Sequence, residues 1–74
     1  MVRNRNIDFK NLIKELRTTN NLTQKQMSDM LHISRQCISH WEIGTRIPDI
    51  YMLDKISKEF NIHIMILINS ILNQ

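Results

Sequence analysis

The 74-residue sequence is poor in the residues that stabilise several common classes of protein. It has a single cysteine, Cys37, so no disulfide can form within the chain. One glycine and one proline are too few for an all-β or a collagen-like protein. The N-terminus is polar and lacks the apolar core of a signal peptide. The one long apolar run, from Ile62 to Leu72, is too short to span a bilayer. We therefore expect one small domain, residues 1–74, working in the cytoplasm without a membrane.

Basic residues outnumber acidic ones, ten against seven, which gives a net charge of +3. This excess favours a polyanionic partner such as nucleic acid or an anionic membrane surface, although a solvated, slightly basic surface has the same composition. The chain has no paired carboxylates, nucleophile elbow or phosphate-binding glycine loop, so we expect neither an enzyme nor a cofactor. His32, His40 and His63 lack the spacing of metal ligands, and no metal is expected. We interpret Cys37 as a small helix residue rather than a redox sensor.

Apolar periodicity and capping signals predict helices from about Asp8 to Thr18, from Thr23, from Ser34 to Ile43 and from Asp49 to Asn61. Three sets of apolar residues form the predicted buried faces: Phe9, Leu12, Ile13 and Leu16 in the first helix, Met27, Met30 and Leu31 in the second, and Ile50, Leu53, Ile56 and Phe60 in the fourth. The last segment, residues 64–72, is apolar on nearly every side, so periodicity alone does not separate a buried helix from a strand. The capping signals upstream favour an all-α domain of five helices.

The second and third helices form a tight pair across residues 23–43. Thr23 and Gln26 match a capping box, and Gly44 terminates the third helix. The turn between the helices needs a residue with positive φ, and here that residue is His32, a type enriched in this conformation. So short a turn forces a steep crossing, and Ser28 is a small residue suited to the contact.

The third helix leaves one polar arc of about 140° outside while Ile38 and Trp41 point inward. Four residues occupy this arc: Arg35, Gln36, Ser39 and His40. Gln can bond bidentately to adenine and Arg to guanine in a major groove. A solvated helix face has the same chemistry, but this one lies at the start of the second helix of a tight pair, the end that enters the groove.

The segment LTQKQMSDMLHISRQCISHWEIGTRIPD resembles the helix-turn-helix of the Cro/CI-type, or Xre-type, regulators, and the likeness extends from about Ile13 to Ile68. The resemblance implies a lambda-repressor-like bundle that binds double-stranded operator DNA, usually as a homodimer on a palindrome. It also implies phosphate contacts from Thr23, Gln24 and Arg46, and an internal salt bridge between Arg17 and Glu42.

Three departures from the family pattern are visible. His32 replaces the usual turn glycine, Ile43 stands where a polar or basic residue is common, and Met65 and Ile66 replace residues that are often acidic. The last departure makes the C-terminal segment apolar on a face that is expected to contact solvent, and a small domain rarely exposes such a patch without a partner. We therefore predict a dimer interface made of Met65, Ile66, Ile68, Asn69 and Leu72.

Two functions follow from these observations. The first is a sequence-specific transcriptional regulator, predicted to be a repressor. The alternative is a protein-interaction module, such as an antitoxin or an anti-repressor partner, that uses the apolar C-terminal helix to bind a protein. The polar set of Gln24, Arg35, Gln36 and Arg46 favours DNA binding, because a module that binds only protein would not need it.

Overall fold

A computed structural model describes residues 7–73, which form five α-helices and no strand. The helices are α1 (Phe9–Thr19), α2 (Gln24–Leu31), α3 (Arg35–Ile43), α4 (Ile50–Phe60) and α5 (Ile64–Leu72). The predicted all-α class with five helices is therefore confirmed. The polar N-terminal residues 1–6, on which the expectation about a signal peptide rested, lie outside the described residues.

Local side-chain bonds set where most of the helices begin. Side-chain oxygens accept backbone N–H groups three residues later in α1 (Asp8 from Asn11, 3.1 Å), α3 (Ser34 from Cys37, 3.3 Å) and α4 (Asp49 from Met52, 2.9 Å). The capping box predicted for α2 is complete. The Gln26 N–H donates to Thr23 Oγ1 at 3.0 Å, and the Thr23 N–H donates to Gln26 Oε1 at 2.8 Å. Each bond satisfies a backbone N–H that has no partner inside the helix.

The last segment, for which periodicity did not decide between a helix and a strand, is a helix and forms α5. Its first turn is capped by His63, whose Nδ1 accepts the Met65 N–H at 3.1 Å. Histidine is outside the set of residues that usually cap helix starts. The sequence therefore carried no recognisable start signal for this helix.

All five helices contribute to the hydrophobic core: α1 packs against α3 and α5, α2 packs against α3 and α4, and α4 packs against α5. The buried apolar residues are Phe9, Leu12, Ile13, Met27, Leu31, Ile38, Trp41, Leu53, Ile56 and Leu67. The rings of Phe9 and Trp41 meet edge to face with centroids 6.3 Å apart. This contact joins α1 to α3, the helix that carries the predicted reading face.

Two predicted core positions are wrong. Ile50 is 53% exposed, because it lies in the first turn of α4 and about 120° around the helix from the buried Ile56. Met30 is only half-buried, whereas its neighbours Met27 and Leu31 are fully enclosed. The core face of α2 is therefore narrower than its sequence indicated.

The turn between α2 and α3 has the backbone conformation that the sequence predicted. His32 is left-handed, with φ 58° and ψ 44°. The Ile33 N–H donates to the Ser28 carbonyl at 3.0 Å, and the Lys55 ammonium donates to the Leu31 carbonyl at 2.9 Å. Ser28 itself is buried, on a helix that packs against α3. Hydrogen bonds from the following residue Ile33 and from Lys55 of α4 thus both hold the end of α2.

We expect His32→Gly to stabilise the domain by about 0.5–1 kcal/mol. The left-handed conformation costs a residue with a Cβ about 1–2 kcal/mol, and the greater freedom of glycine in the unfolded chain offsets part of the gain. The midpoint of urea unfolding should rise with an unchanged slope. His32→Ala, which keeps a Cβ, should give no increase. A glycine variant no more stable than the wild type would show that the His32 backbone carries no strain.

Candidate nucleic-acid interface

The outward face of α3 carries the four side chains predicted to read bases. Arg35 and Gln36 are exposed, while Ser39 and His40 are half-buried. Ile43, which the family resemblance places at a commonly polar position, is exposed on this same side of the helix. Because Ile38 and Trp41 anchor the opposite side in the core, the outer stripe has a defined orientation.

The start of α2 lies beside the start of this stripe. Thr23 caps α2 and is exposed, and Gln24 is the first residue of the helix and half-buried. Arg35 Nη1 donates to Gln24 Oε1 at 3.0 Å. The structure therefore brings together one residue predicted to bind phosphate and one predicted to bind a base. Nothing in the sequence spacing signals this contact, because the two residues are on different helices.

A salt bridge behind this contact joins α1 to α3. Arg17 Nε donates to Glu42 Oε2 at 2.6 Å, and Arg17 Nη2 donates to Glu42 Oε1 at 3.0 Å. The Arg17 side chain is 14% exposed and that of Glu42 is 6% exposed, so the pair is largely shielded from water. Arg17 also donates to the Leu22 carbonyl at 2.9 Å. Hydrogen bonding to Glu42 raises the pKa of Arg17, and the guanidinium is charged at neutral pH in any case.

Glu42 also determines which way the Gln24 amide points. Gln24 Nε2 donates to Glu42 Oε1 at 3.2 Å, which leaves the amide oxygen for Arg35. A carboxylate only accepts and a guanidinium only donates, so the reverse orientation of the amide would lose both bonds. The result is a continuous chain of hydrogen bonds from Arg17 through Glu42 and Gln24 to Arg35. It links the interior of the domain to the polar stripe.

The far end of α3 is held by a second group of bonds. The His40 carbonyl accepts the N–H groups of Gly44 and Thr45, each at 3.0 Å. The His40 ring Nδ1 lies 2.9 Å from Thr45 Oγ1. Gly44 is left-handed at φ 94°, as its predicted role as terminator requires. Arg46 follows this corner with an exposed side chain.

The apolar part of α5 faces solvent at four of the five residues predicted to form a dimer interface. Met65, Ile66, Asn69 and Leu72 are exposed. Ile68 instead packs against the core. Three of the exposed residues, Met65, Asn69 and Leu72, fall within an arc of about 60°. These three residues form one stripe with an amide at its centre, and the exposed Ile66 lies about 60° to one side of it.

Cys37 is exposed in the first turn of α3, where its sulfur accepts a hydrogen bond from Ser34 Oγ at 3.4 Å. Among residues 7–73, no group of His, Cys, Asp or Glu side chains is arranged to hold a metal ion. Within the same range, no helix has both the length and the apolarity needed to cross a membrane.

Comparison of the sequence with known proteins identifies helix-turn-helix relatives. A sequence model of the family described as helix-turn-helix matches residues 13–67. The chain belongs to the Xre/Cro-CI-type helix-turn-helix family. The chain is also 41% identical over 58 residues to the HTH-type transcriptional activator BcrR of Enterococcus faecalis. This similarity covers 78% of the chain and 28% of the length of that relative.

Family membership gives the described elements their roles. Helices α2 and α3 are the two members of the helix-turn-helix, and α3 is its recognition helix. The family consists of DNA-binding transcription regulators, which are generally not enzymes. In this family member, the salt bridge and Gln24 connect the recognition helix to both helices that precede it.

We expect Glu42→Ala to lower the free energy of unfolding by about 3 kcal/mol, because it leaves the shielded charge of Arg17 without its partner. Urea unfolding measures the change. Glu42→Gln keeps an acceptor oxygen and should cost less. Asp29→Ala removes an exposed i,i+4 pair with Lys25, and we expect it to change stability by no more than about 0.5 kcal/mol. Equal effects of Glu42→Ala and Asp29→Ala would show that the salt bridge does not hold the helices together.

Proposed function

We propose that the chain binds operator DNA in a sequence-specific manner, with α3 in the major groove. The observation that carries this proposal is the polar stripe on α3, held in place through Gln24 and Glu42. A helix face that is only solvated does not require its first side chain to be held, whereas Arg35 is held by Gln24, and Gln24 by the partly buried Glu42. The hydrogen bond between Gln24 at the start of α2 and Arg35 at the start of the stripe supports the proposal, because it joins a residue proposed to bind phosphate to one proposed to read a base.

The residues have distinct proposed roles. The Gln36 side chain is exposed and makes no hydrogen bond to the described residues, so its amide is free to pair with adenine. Arg35 has donors beyond the Nη1 that binds Gln24, and these suit guanine. Ser39 and His40 make single contacts to bases or phosphates. Thr23, Gln24 and Arg46 bind phosphates on either side of the groove.

We propose that two copies act together through the exposed stripe of α5. A two-fold dimer places two recognition helices on half-sites about 34 Å apart, one turn of the double helix, and so selects a palindrome. The sequence predicted a repressor, whereas the BcrR relative is named as an activator. An operator that overlaps a promoter gives repression and one beside it gives activation, so the same interface serves either outcome. We also propose that this activity takes place in the cytoplasm, which membership of a DNA-binding family supports.

Selection from a random pool of double-stranded DNA at low salt tests the proposal. We expect enrichment of a palindrome with half-site centres about 10 base pairs apart. Gln36→Ala should abolish the preference at one base pair, which corresponds to a loss of about 1–3 kcal/mol of binding free energy, and leave the preferences at the other positions unchanged. Arg46→Ala is the matched control. It should weaken binding to all sequences evenly and flatten the salt dependence of log K by about one unit.

Two results would contradict this reading. If Gln36→Ala weakens every sequence equally, Gln36 does not read a base. If folded protein retains DNA without enriching any sequence, the chain attracts only the phosphate backbone. The interaction-module alternative would then be favoured, with a protein partner on α5.

For the dimer, we expect Leu72→Asp to yield a folded monomer. Leu72 is 74% exposed, so a charge there should spare the core but be costly inside an apolar interface. Sedimentation velocity and circular dichroism measure the mass and the fold. Tyr51→Asp is the control, because Tyr51 is 83% exposed and lies on α4. A wild-type chain that is monomeric both free and on its operator would contradict the proposed interface.

A further inference from the structure

Ile43 is an apolar residue on an otherwise polar reading face. It is the last residue of α3, it is 65% exposed, and it is not among the residues packed against the core. Ile43 lies seven positions after Gln36 in the helix, which places the two side chains within about 20° of each other around the helix. Ser39 and His40 lie between them on the same side. Ile43 thus extends the stripe proposed to face DNA.

The position of Ile43 is well defined. The last turn of α3 is closed by the bonds from Gly44 and Thr45 to the His40 carbonyl, each 3.0 Å long. A β-branched side chain within a helix is almost confined to one χ1 rotamer. Its methyl groups are therefore presented in one direction without loss of much conformational freedom on binding.

A macromolecule that binds along this face of α3 covers Ile43 together with its polar neighbours. Gln36 lies on the same side of the helix, and the exposed Arg46 follows three residues after Ile43. A protein partner bound over Ile43 would bury these polar groups, whereas DNA supplies acceptors for them. The occupant consistent with all three side chains is therefore DNA.

The base edges of the major groove offer one apolar group, the C5 methyl of thymine. We propose that Ile43 is a specificity-determining residue that packs against a thymine methyl and so requires an A·T pair in each half-site. This inference rests on the proposed function. Gln36 and Ile43 are about 10.5 Å apart along the helix axis. The double helix rises about 3.4 Å per base pair and the groove runs obliquely to its axis, so the thymine should lie no more than about three base pairs from the base read by Gln36.

Replacing each thymine of the selected operator with deoxyuridine, one at a time, tests this contact. The replacement removes only the methyl group and keeps base pairing. For the wild-type chain, one thymine in each half-site should weaken binding about four-fold when replaced, the effect of losing one buried methyl. Ile43→Ala should lower affinity for the thymine operator and bind both operators equally. Ile43→Val, which keeps a branched side chain, should retain the preference.

Tyr51→Ala is the matched control, since Tyr51 is also apolar and exposed but lies on α4. It should keep the full preference for thymine. The inference is overturned if no thymine shows the effect, or if the effect persists in Ile43→Ala. Either result, obtained with a palindromic operator whose Gln36 position behaves as expected, leaves the proposed function standing. A chain that selects no DNA sequence overturns both.

Discussion

One carboxylate, that of Glu42, sets the relation between three helices of this domain. It belongs to α3, accepts two hydrogen bonds from Arg17 on α1, and accepts a third from Gln24 on α2. Apolar side chains that pack against each other tolerate small rotations, but charge-assisted bonds of this kind are directional. Because Glu42 is almost fully shielded, its oxygens depend on these protein donors. These bonds therefore hold α1 and α2 against α3 in the arrangement that the short turn between α2 and α3 allows.

The same constraint reaches the surface. Gln24 turns its oxygen outward because its nitrogen is held by Glu42, and Arg35 is held by that oxygen. A long side chain such as arginine otherwise loses considerable rotamer freedom when it binds. Part of that ordering is already present in the free protein. Preorganisation of this kind favours affinity because less entropy is lost on association.

The helices were largely predictable because their boundaries depend on local chemistry. Thr23 with Gln26, Ser34, Gly44 and Asp49 are signals that can be read within four residues. The bounds of α5 agree with the predicted segment, residues 64–72, but periodicity did not separate helix from strand there, and His63 is an unusual cap. Ile50 was misplaced because its burial depends on which side of α4 meets other helices. In the site, the resemblance placed Arg17 with Glu42, whereas the bonds of Gln24 to Glu42 and Arg35 depend on the helix crossing. Ile43 could have been placed on the reading face, since the helical periodicity that groups Gln36 with Ser39 and His40 also includes it.

The caps at the helix starts have a consequence for the rate of folding. Each cap joins residues only two or three positions apart, and none of the five helices needs a distant strand to complete its backbone hydrogen bonds. Helical domains rich in such short-range contacts fold in microseconds to milliseconds, because few long loops must close before native contacts form. A molecule that unfolds transiently can therefore restore its recognition helix far sooner than a β-sheet domain of equal stability could restore its pairing.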